Sequence, residues 1–196
     1  MIPADRVSGM ILTGGSSSRM GSDKALLAFG ETIFVRQIAA SLSEVLSSVS
    51  IVSDQSDRHT RLGIPVIHDR YQKCGPLGGI HAALDASVTP YAVIVACDTP
   101  FLTPRLIRHL LDTAQPETIT ICNDDTGPHP LTGVYPVSVL PALRTALDAG
   151  VRRVMEFLDG TGYRAVNVPE PENTLHNINT PEAYRHAIRA SGTSIH

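Results

Sequence analysis

The sequence predicts an α/β fold, a single three-layer α/β/α unit built round a mostly parallel sheet, and three observations predict it. The runs Val7–Leu12 and Tyr91–Ala96 are apolar without alternation, the pattern of strands buried on both faces. Strand-like runs alternate with helical patterns along the chain, as parallel strands joined by right-handed crossovers require. Glycine-rich or acidic segments follow the two apolar runs directly, where open α/β sheets place their ligand-binding loops. At 196 residues, 42% hydrophobic and 18% charged, the chain has material for one such unit, 1–196, with a core over about 7–190.

Each element follows from its residues. After the first strand and a Gly-Ser loop, residues 24–30 form a short apolar bridge. Thr32 then suits the cap of a helix to about Ser47, with Ile33, Ile38, Leu42, Val45 and Leu46 as its inward stripe. A strand is expected at 49–52, a brief helix at 57–62 and a short strand at 65–67, ending at His68-Asp69. The segment Cys74-Gly75-Pro76-Leu77-Gly78-Gly79-Ile80 leads into a helix over 80–86. Pro76 suits a first turn. Three glycines in five positions exceed what a cap needs and suit close approach of backbone to a ligand.

The central strand ends in Cys97-Asp98-Thr99-Pro100-Phe101, and Thr103 as N-cap with Pro104 behind it opens a helix over 104–114. A strand at 118–122, a polar turn at 123–128 and a strand from His129 to Pro136 follow. Next come an amphipathic helix over 137–149 ended by Gly150, a short helix over 151–158, a strand at 163–168 and a loop at 169–173. Thr180 and Pro181 open the last helix, and residues 192–196 are expected to fray.

A net charge of −3 gives no electrostatic case for nucleic-acid binding, and no stretch is apolar enough to span a membrane. The N-terminus lacks a charged-apolar-small signal pattern. Cys74, Cys97 and Cys122 are odd in number and far apart, which points to no disulfide framework or zinc spacing and favours a reducing cytoplasm.

The chemistry concentrates in Leu12-Thr13-Gly14-Gly15-Ser16-Ser17-Ser18-Arg19-Met20-Gly21-Ser22-Asp23-Lys24. Glycines and small hydroxyl residues let several backbone N–H groups converge on one anion. Arg19 adds a planar fork for phosphate oxygens, and Lys24 a mobile point charge. The loop is neither G-x-x-x-x-G-K-[ST] nor G-x-G-x-x-G. Asp98, directly after the buried central strand, belongs to the same rim, and one carboxylate beside a triphosphate suffices for Mg²⁺. Its bland alternative, capping the next helix, is already filled by Thr103.

This loop resembles the L-[AT]-G-G-x-S-x-R-M-G-x-D-K signature of the nucleotidyltransferases that include molybdenum cofactor guanylyltransferase. Four further segments are similar to that family's motifs and follow in its order. They are the Gly75-Pro76-Leu77-x-Gly79 segment, Cys97-Asp98-Thr99-Pro100-Phe101, His129-Pro130-Leu131-Thr132-Gly133-Val134-Tyr135, and Asn177-Ile178-Asn179-Thr180-Pro181-Glu182. The resemblance implies a Rossmann-like nucleotidyltransferase domain that transfers GMP from GTP to molybdopterin carrying molybdenum, releasing pyrophosphate. It implies GTP contacts at Leu12, Thr13, Gly14, Gly15, Lys24, Ser53, Asp69 and Asp98, catalytic roles for Arg19, Lys24 and Asp98, and Mg²⁺ on Asp98, with Mn²⁺ as a substitute. On the acceptor side it implies Arg153, Asn177 and Asn179, the two asparagines on alternate positions of an extended segment. Which of Arg152 and Arg153 faces the cleft is left open, as is a catalytic against a structural role for His129. As partners it implies molybdenum-insertion proteins and apo-molybdoenzymes or their chaperones. Two positions depart from the pattern: Thr13 stands where alanine is commoner, a small change, and Ser53, a nucleotide contact, where some members carry asparagine. Base choice is implied by Gly15 next to Gly14, the pair associated with guanine. The alternatives are a relative that uses CTP or a sugar-phosphate acceptor, and a nucleotide-binding carrier without catalysis.

Overall fold

A computed structural model of the chain describes residues 1–13, 24–54, 59–69, 71, 74–169 and 174–190. The strands are β1 (Val7–Leu12), β2 (Ala28–Phe29), β3 (Thr32–Ile33), β4 (Val49–Ser53), β5 (Val66–His68), β6 (Tyr91–Ala96), β7 (Ile119–Asp124), β8 (Gly127–Pro136) and β9 (Tyr163–Asn167). The helices are α1 (Phe34–Ser43), α2 (Gly75–Asp85), α3 (Pro104–Thr113), α4 (Leu140–Asp148), α5 (Val154–Thr161) and α6 (Pro181–Ala190).

Seven strands form one sheet in the order β5-β4-β1-β6-β8-β7-β9, and β2 and β3 form a small hairpin. All neighbours are parallel except that β8 runs antiparallel to both β6 and β7. The fold is therefore a Rossmann-like α/β sheet with helices on both faces.

The two faces follow from strand periodicity. Val7 and Ile11 of β1, with Val93 and Val95 of β6, pack with Val35, Ile38 and Leu42 of α1 and Leu106, Ile107 and Leu110 of α3. Met10 and Leu12, with Ala92 and Ile94, pack on the opposite face with Leu77, Ile80 and Leu84 of α2, Leu143 and Leu147 of α4, and Phe157 and Leu158 of α5. Every residue of β1 and β6 is buried, which is why both read as unbroken apolar runs. A third cluster joins Phe34, Ile178 and Ala187, so that α6 packs near the β2–β3 hairpin.

Several expectations are corrected. Thr32 does not cap α1; it pairs with Phe29 in the hairpin, and the helix starts at Phe34 with no side-chain cap and ends at Ser43. Leu46 is still buried, but from the turn beyond the helix. The helix expected over 80–86 starts earlier, so that the glycine-rich segment forms the first turns of α2, with Pro76 at the helix start as its position suggested. The expected polar turn at 123–128 shrinks because β7 runs on to Asp124 and β8 starts at Gly127. Asn177 and Asn179 lie on no strand. Of the helix expected at 57–62, residues 57–58 lie outside the described set and 60–62 form one short 3₁₀ turn.

The connections set the position of the site. From β1 the chain crosses to β4 on one side, and from β6 it leaves through α3 toward β7 on the other. Adjacent strands whose connections diverge leave a crevice at their carboxyl ends.

Candidate active site at the carboxyl edge of the sheet

At that crevice Leu12 of β1 lies opposite Ala96 of β6, and the Cys97 N–H donates to the Leu12 carbonyl over 3.0 Å. Pairing thus persists one residue beyond β6, and Asp98 emerges beside the end of β1. The Thr99 hydroxyl donates to the Ala96 carbonyl over 2.8 Å, which closes the turn and fixes the backbone at Asp98. Thr103 caps α3 as expected, accepting from the Leu106 N–H over 3.1 Å, so Asp98 has no capping duty. On the other side of β1, Thr13 donates through both its N–H and its hydroxyl to the Val52 carbonyl, over 2.9 and 3.0 Å. The first residue after the strand is thereby tied to β4.

Lys24 opens a short 3₁₀ turn anchored by the buried Ala25, and its Nζ lies 3.7 Å from Asp98 Oδ2. Both side chains are largely buried, 18% and 17% exposed. Lys24 also donates to Asn179 Oδ1. Asp98 Oδ1 is buried and accepts no hydrogen bond from any described residue. Burial pushes the Asp98 carboxyl above its ordinary value, and the opposing Lys24 charge does not cancel that effect. A buried carboxylate oxygen with no donor, beside a solvent-reachable crevice, suits a hard cation that brings its own water and phosphate ligands. Magnesium, implied by the resemblance, fits Asp98. Among the described residues no three His, Cys, Asp or Glu side chains cluster as a metal cage.

The other half of the rim is a shallow, open hollow lined by Leu12, Ser53, Asp69, Gly75, Pro76 and Gly79 among others. Asp69 is held at both ends: its N–H donates to the Ser53 carbonyl over 3.0 Å, and its carboxylate accepts from the Tyr71 N–H over 2.8 Å. Burial raises the Asp69 carboxyl, the nearby Asp54 charge adds to that, and the Tyr71 N–H opposes it. Gly78 is glycine because a Cβ there would lie 2.9 Å from Asp69 Oδ2 and from the Tyr71 carbonyl. Ser53 is buried, its hydroxyl 3.1 Å from His59 Nδ1, a contact for which the sequence offered no signal.

The remaining site expectations divide. Gly14, Gly15 and Arg19 lie outside the described residues. Leu12, Thr13, Lys24, Ser53, Asp69 and Asp98 gather on the rim. Asn179 reaches Lys24, and the Ile178 N–H between the two asparagines donates to the Asp98 carbonyl over 2.9 Å. Asn177 instead lines a larger open hollow with Phe101, His176, Ile178 and His186. Arg152 donates to the Leu147 and Val151 carbonyls, whereas Arg153 is exposed at the start of α5 and makes no side-chain hydrogen bond or ion pair with another described residue. Since α5 leads into the amino end of β9, its first residue belongs to the carboxyl rim too, but beyond β8 and not against Lys24.

His129 is 2.9 Å from Asp124 Oδ2 at the tip of the β7–β8 hairpin. Burial would raise Asp124, but hydrogen bonds from Thr126 and His129 outweigh it and hold the carboxyl at about 2. Two other members of that motif make contacts within the sheet. The Tyr135 hydroxyl donates to the Pro130 carbonyl over 2.5 Å, and Gly133 lets β8 close on β7, where a Cβ would lie 3.0 Å from Ile121 Cα.

Comparison with known proteins agrees with this geometry. Residues 9–163 match the model of the MobA-like NTP transferase domain. A protein of Yersinia pestis named molybdenum cofactor guanylyltransferase is 33% identical over 178 residues, covering 89% of this chain and 91% of that one. The crystal structure of molybdopterin-guanine dinucleotide biosynthesis protein A from Archaeoglobus fulgidus superposes with a TM-score of 0.82 at 23% identity, covering 94% of this chain and 98% of that one. That of Rv0371C in complex with manganese, from Mycobacterium tuberculosis, superposes with a TM-score of 0.71 at 16% identity, covering 95% and 99%. With its phosphate-loop signature leaving β1, its paired lysine and aspartate at the switch point and a family match over most of its length, the chain belongs to the MobA-like NTP transferases.

Proposed function

We propose that the protein transfers GMP from GTP to molybdopterin carrying molybdenum, giving the guanine dinucleotide form of the cofactor and pyrophosphate. The observation that carries this reading is Lys24 Nζ at 3.7 Å from Asp98 Oδ2, at the sheet's switch point. The smaller hollow, with Leu12, Ser53 and Asp69, takes the guanosine, and the Gly14-Gly15 backbone with Arg19 takes the phosphates. The larger one, beside Asn177, takes the acceptor. Competition of the acceptor with GTP for one hollow would contradict that division.

In the reaction an oxygen of the acceptor's terminal phosphate bonds to the α-phosphorus of GTP, and the bond from that phosphorus to the bridging oxygen breaks. Pyrophosphate leaves with the electron pair. The attacking phosphate is already anionic, so no side chain needs to act as base. Lys24 and Arg19 offset the charge that builds on the departing oxygens, and the fixed Asp98 turn and the Thr13 tether hold the two rims in register. Asp98 would hold Mg²⁺, which supplies charge neutralisation across the triphosphate. The manganese complex of a structural neighbour supports Mn²⁺ as a substitute. Cys74, Cys97 and Cys122 are buried and none is in a disulfide, which supports a cytoplasmic setting, where molybdenum-insertion proteins and apo-molybdoenzymes would be its partners.

Pyrophosphate release with purified molybdopterin, Mg²⁺ and each nucleoside triphosphate in turn tests the reading. GTP should be preferred and the metal required. Preferred turnover of CTP, or of a sugar phosphate in place of molybdopterin, would refute it.

A further inference from the structure

We infer that Asn179 is a positioning residue for Lys24, so that the segment before α6 belongs to the nucleotide half of the site as well as bordering the acceptor half. The inference rests on the nucleotidyl-transfer reading above. Asn179 is 155 positions from Lys24 in sequence, yet its Oδ1 accepts from the Lys24 ammonium. Both neighbours of Asn179 are fixed independently. Ile178 is buried against Phe34 and Ala187 and donates its N–H to the Asp98 carbonyl over 2.9 Å. Thr180 caps α6, accepting from the Ala183 N–H over 3.1 Å. The helix is itself tied back to the bridge after Lys24, where the Tyr184 hydroxyl donates to the Ala28 carbonyl over 2.9 Å. The amide is therefore presented from a clamped backbone to a lysine on a long, rotamer-rich stem.

A lysine ammonium is a mobile point charge, and its value in a transition state depends on where the stem leaves it. Asp98 alone would draw it onto the carboxylate. Asn179 offers a neutral acceptor on the other side and holds Nζ off Asp98, at 3.7 Å rather than in tight contact. From there it faces the crevice in which the triphosphate would lie. Among the described residues only the carbonyl of Asn179 is used, so a neutral acceptor is what the position supplies, and alanine should not serve.

The test is a double-mutant cycle on the full chain with GTP, Mg²⁺ and molybdopterin, reading kcat and the acceptor KM separately. A fluorescent GTP analogue, titrated without acceptor, gives nucleotide affinity. Asn179→Ala should lower kcat at saturation by at least about tenfold with the acceptor KM unchanged. Asn179→Ala should cost nothing further in a Lys24→Ala background. A raised acceptor KM with normal kcat, or additive losses in the double variant, would each overturn the inference. Asn179 is exposed, so the variants should fold, and an unchanged Tm checks that. A wild-type protein that neither binds the GTP analogue nor releases pyrophosphate would instead sink the transfer reading itself.

Discussion

Asp98→Asn should make the ligand-free protein more stable while abolishing metal-dependent turnover. In the wild type the Asp98 carboxylate is 17% exposed, one of its oxygens receives no hydrogen bond from a described residue, and burial raises its pKa despite Lys24. A buried acceptor left unmatched costs roughly 1–3 kcal/mol, and a partly solvated ion pair returns roughly 0–1 kcal/mol. Asparagine keeps the shape and removes the charge, so a net gain of about 1 kcal/mol is expected, a rise in Tm of about 2–4 °C for a chain of this size. The sign has a pH signature. The native carboxyl titrates above its ordinary 3.8, so the native state binds the proton more tightly than the unfolded chain does. Below 3.8 both states are protonated and the penalty is absent; it grows as pH rises through the raised native value and is complete beyond it. Thermal melts of both proteins from pH 3 to 8, without metal, should therefore diverge as pH rises. Adding Mg²⁺ and GTP should stabilise only the wild type. An Asp98→Asn protein that melts lower at neutral pH, with no pH-dependent gap, would show that the carboxylate is satisfied structurally and is not held in readiness for a cation.

Lys24→Ala should lower kcat by about 10²–10³, the range for losing one preorganised charge donor, with a smaller effect on GTP affinity; equal kcat at saturating GTP would remove it from the mechanism. Gly78→Ala should destabilise by about 1–3 kcal/mol and weaken nucleotide binding more than acceptor binding, because its Cβ would push on Asp69; urea denaturation and the two affinities check this. Asp124→Asn should remove stability that the wild type has above pH 3.8 and loses as pH falls toward about 2, so the two acid-unfolding curves should meet near there. Turnover of that variant should stay near wild type, since the Asp124–His129 pair serves the hairpin tip.

Much of the site was legible because its signals are local. The apolar run before a Gly-Ser loop, and the carboxylate directly after the central strand, both report position on the sheet without knowledge of any distant residue. Thr103 and Thr180 were readable as caps for the same reason, since a cap bonds to the backbone three residues on. The misreadings have the opposite cause. Thr32 has the side chain of a cap, but the β2–β3 hairpin claims its backbone first. Glycines in the first turns of α2 put the expected helix start at Ile80, until the close approach of Asp69 to Gly78 explains why that residue must be small.

The sequence by itself determined the α/β architecture, the order of its strands along the chain and the charged groups that end them, because periodicity and capping act within a few residues. Tertiary structure alone decided that β8 inserts antiparallel between β6 and β7. It also decided that Ser53 meets His59, and that residue 179 completes the surroundings of residue 24. Such contacts arise from the closing of a three-layer core, in which pieces far apart in sequence are forced onto one rim, and no local pattern in the chain records which of them will touch.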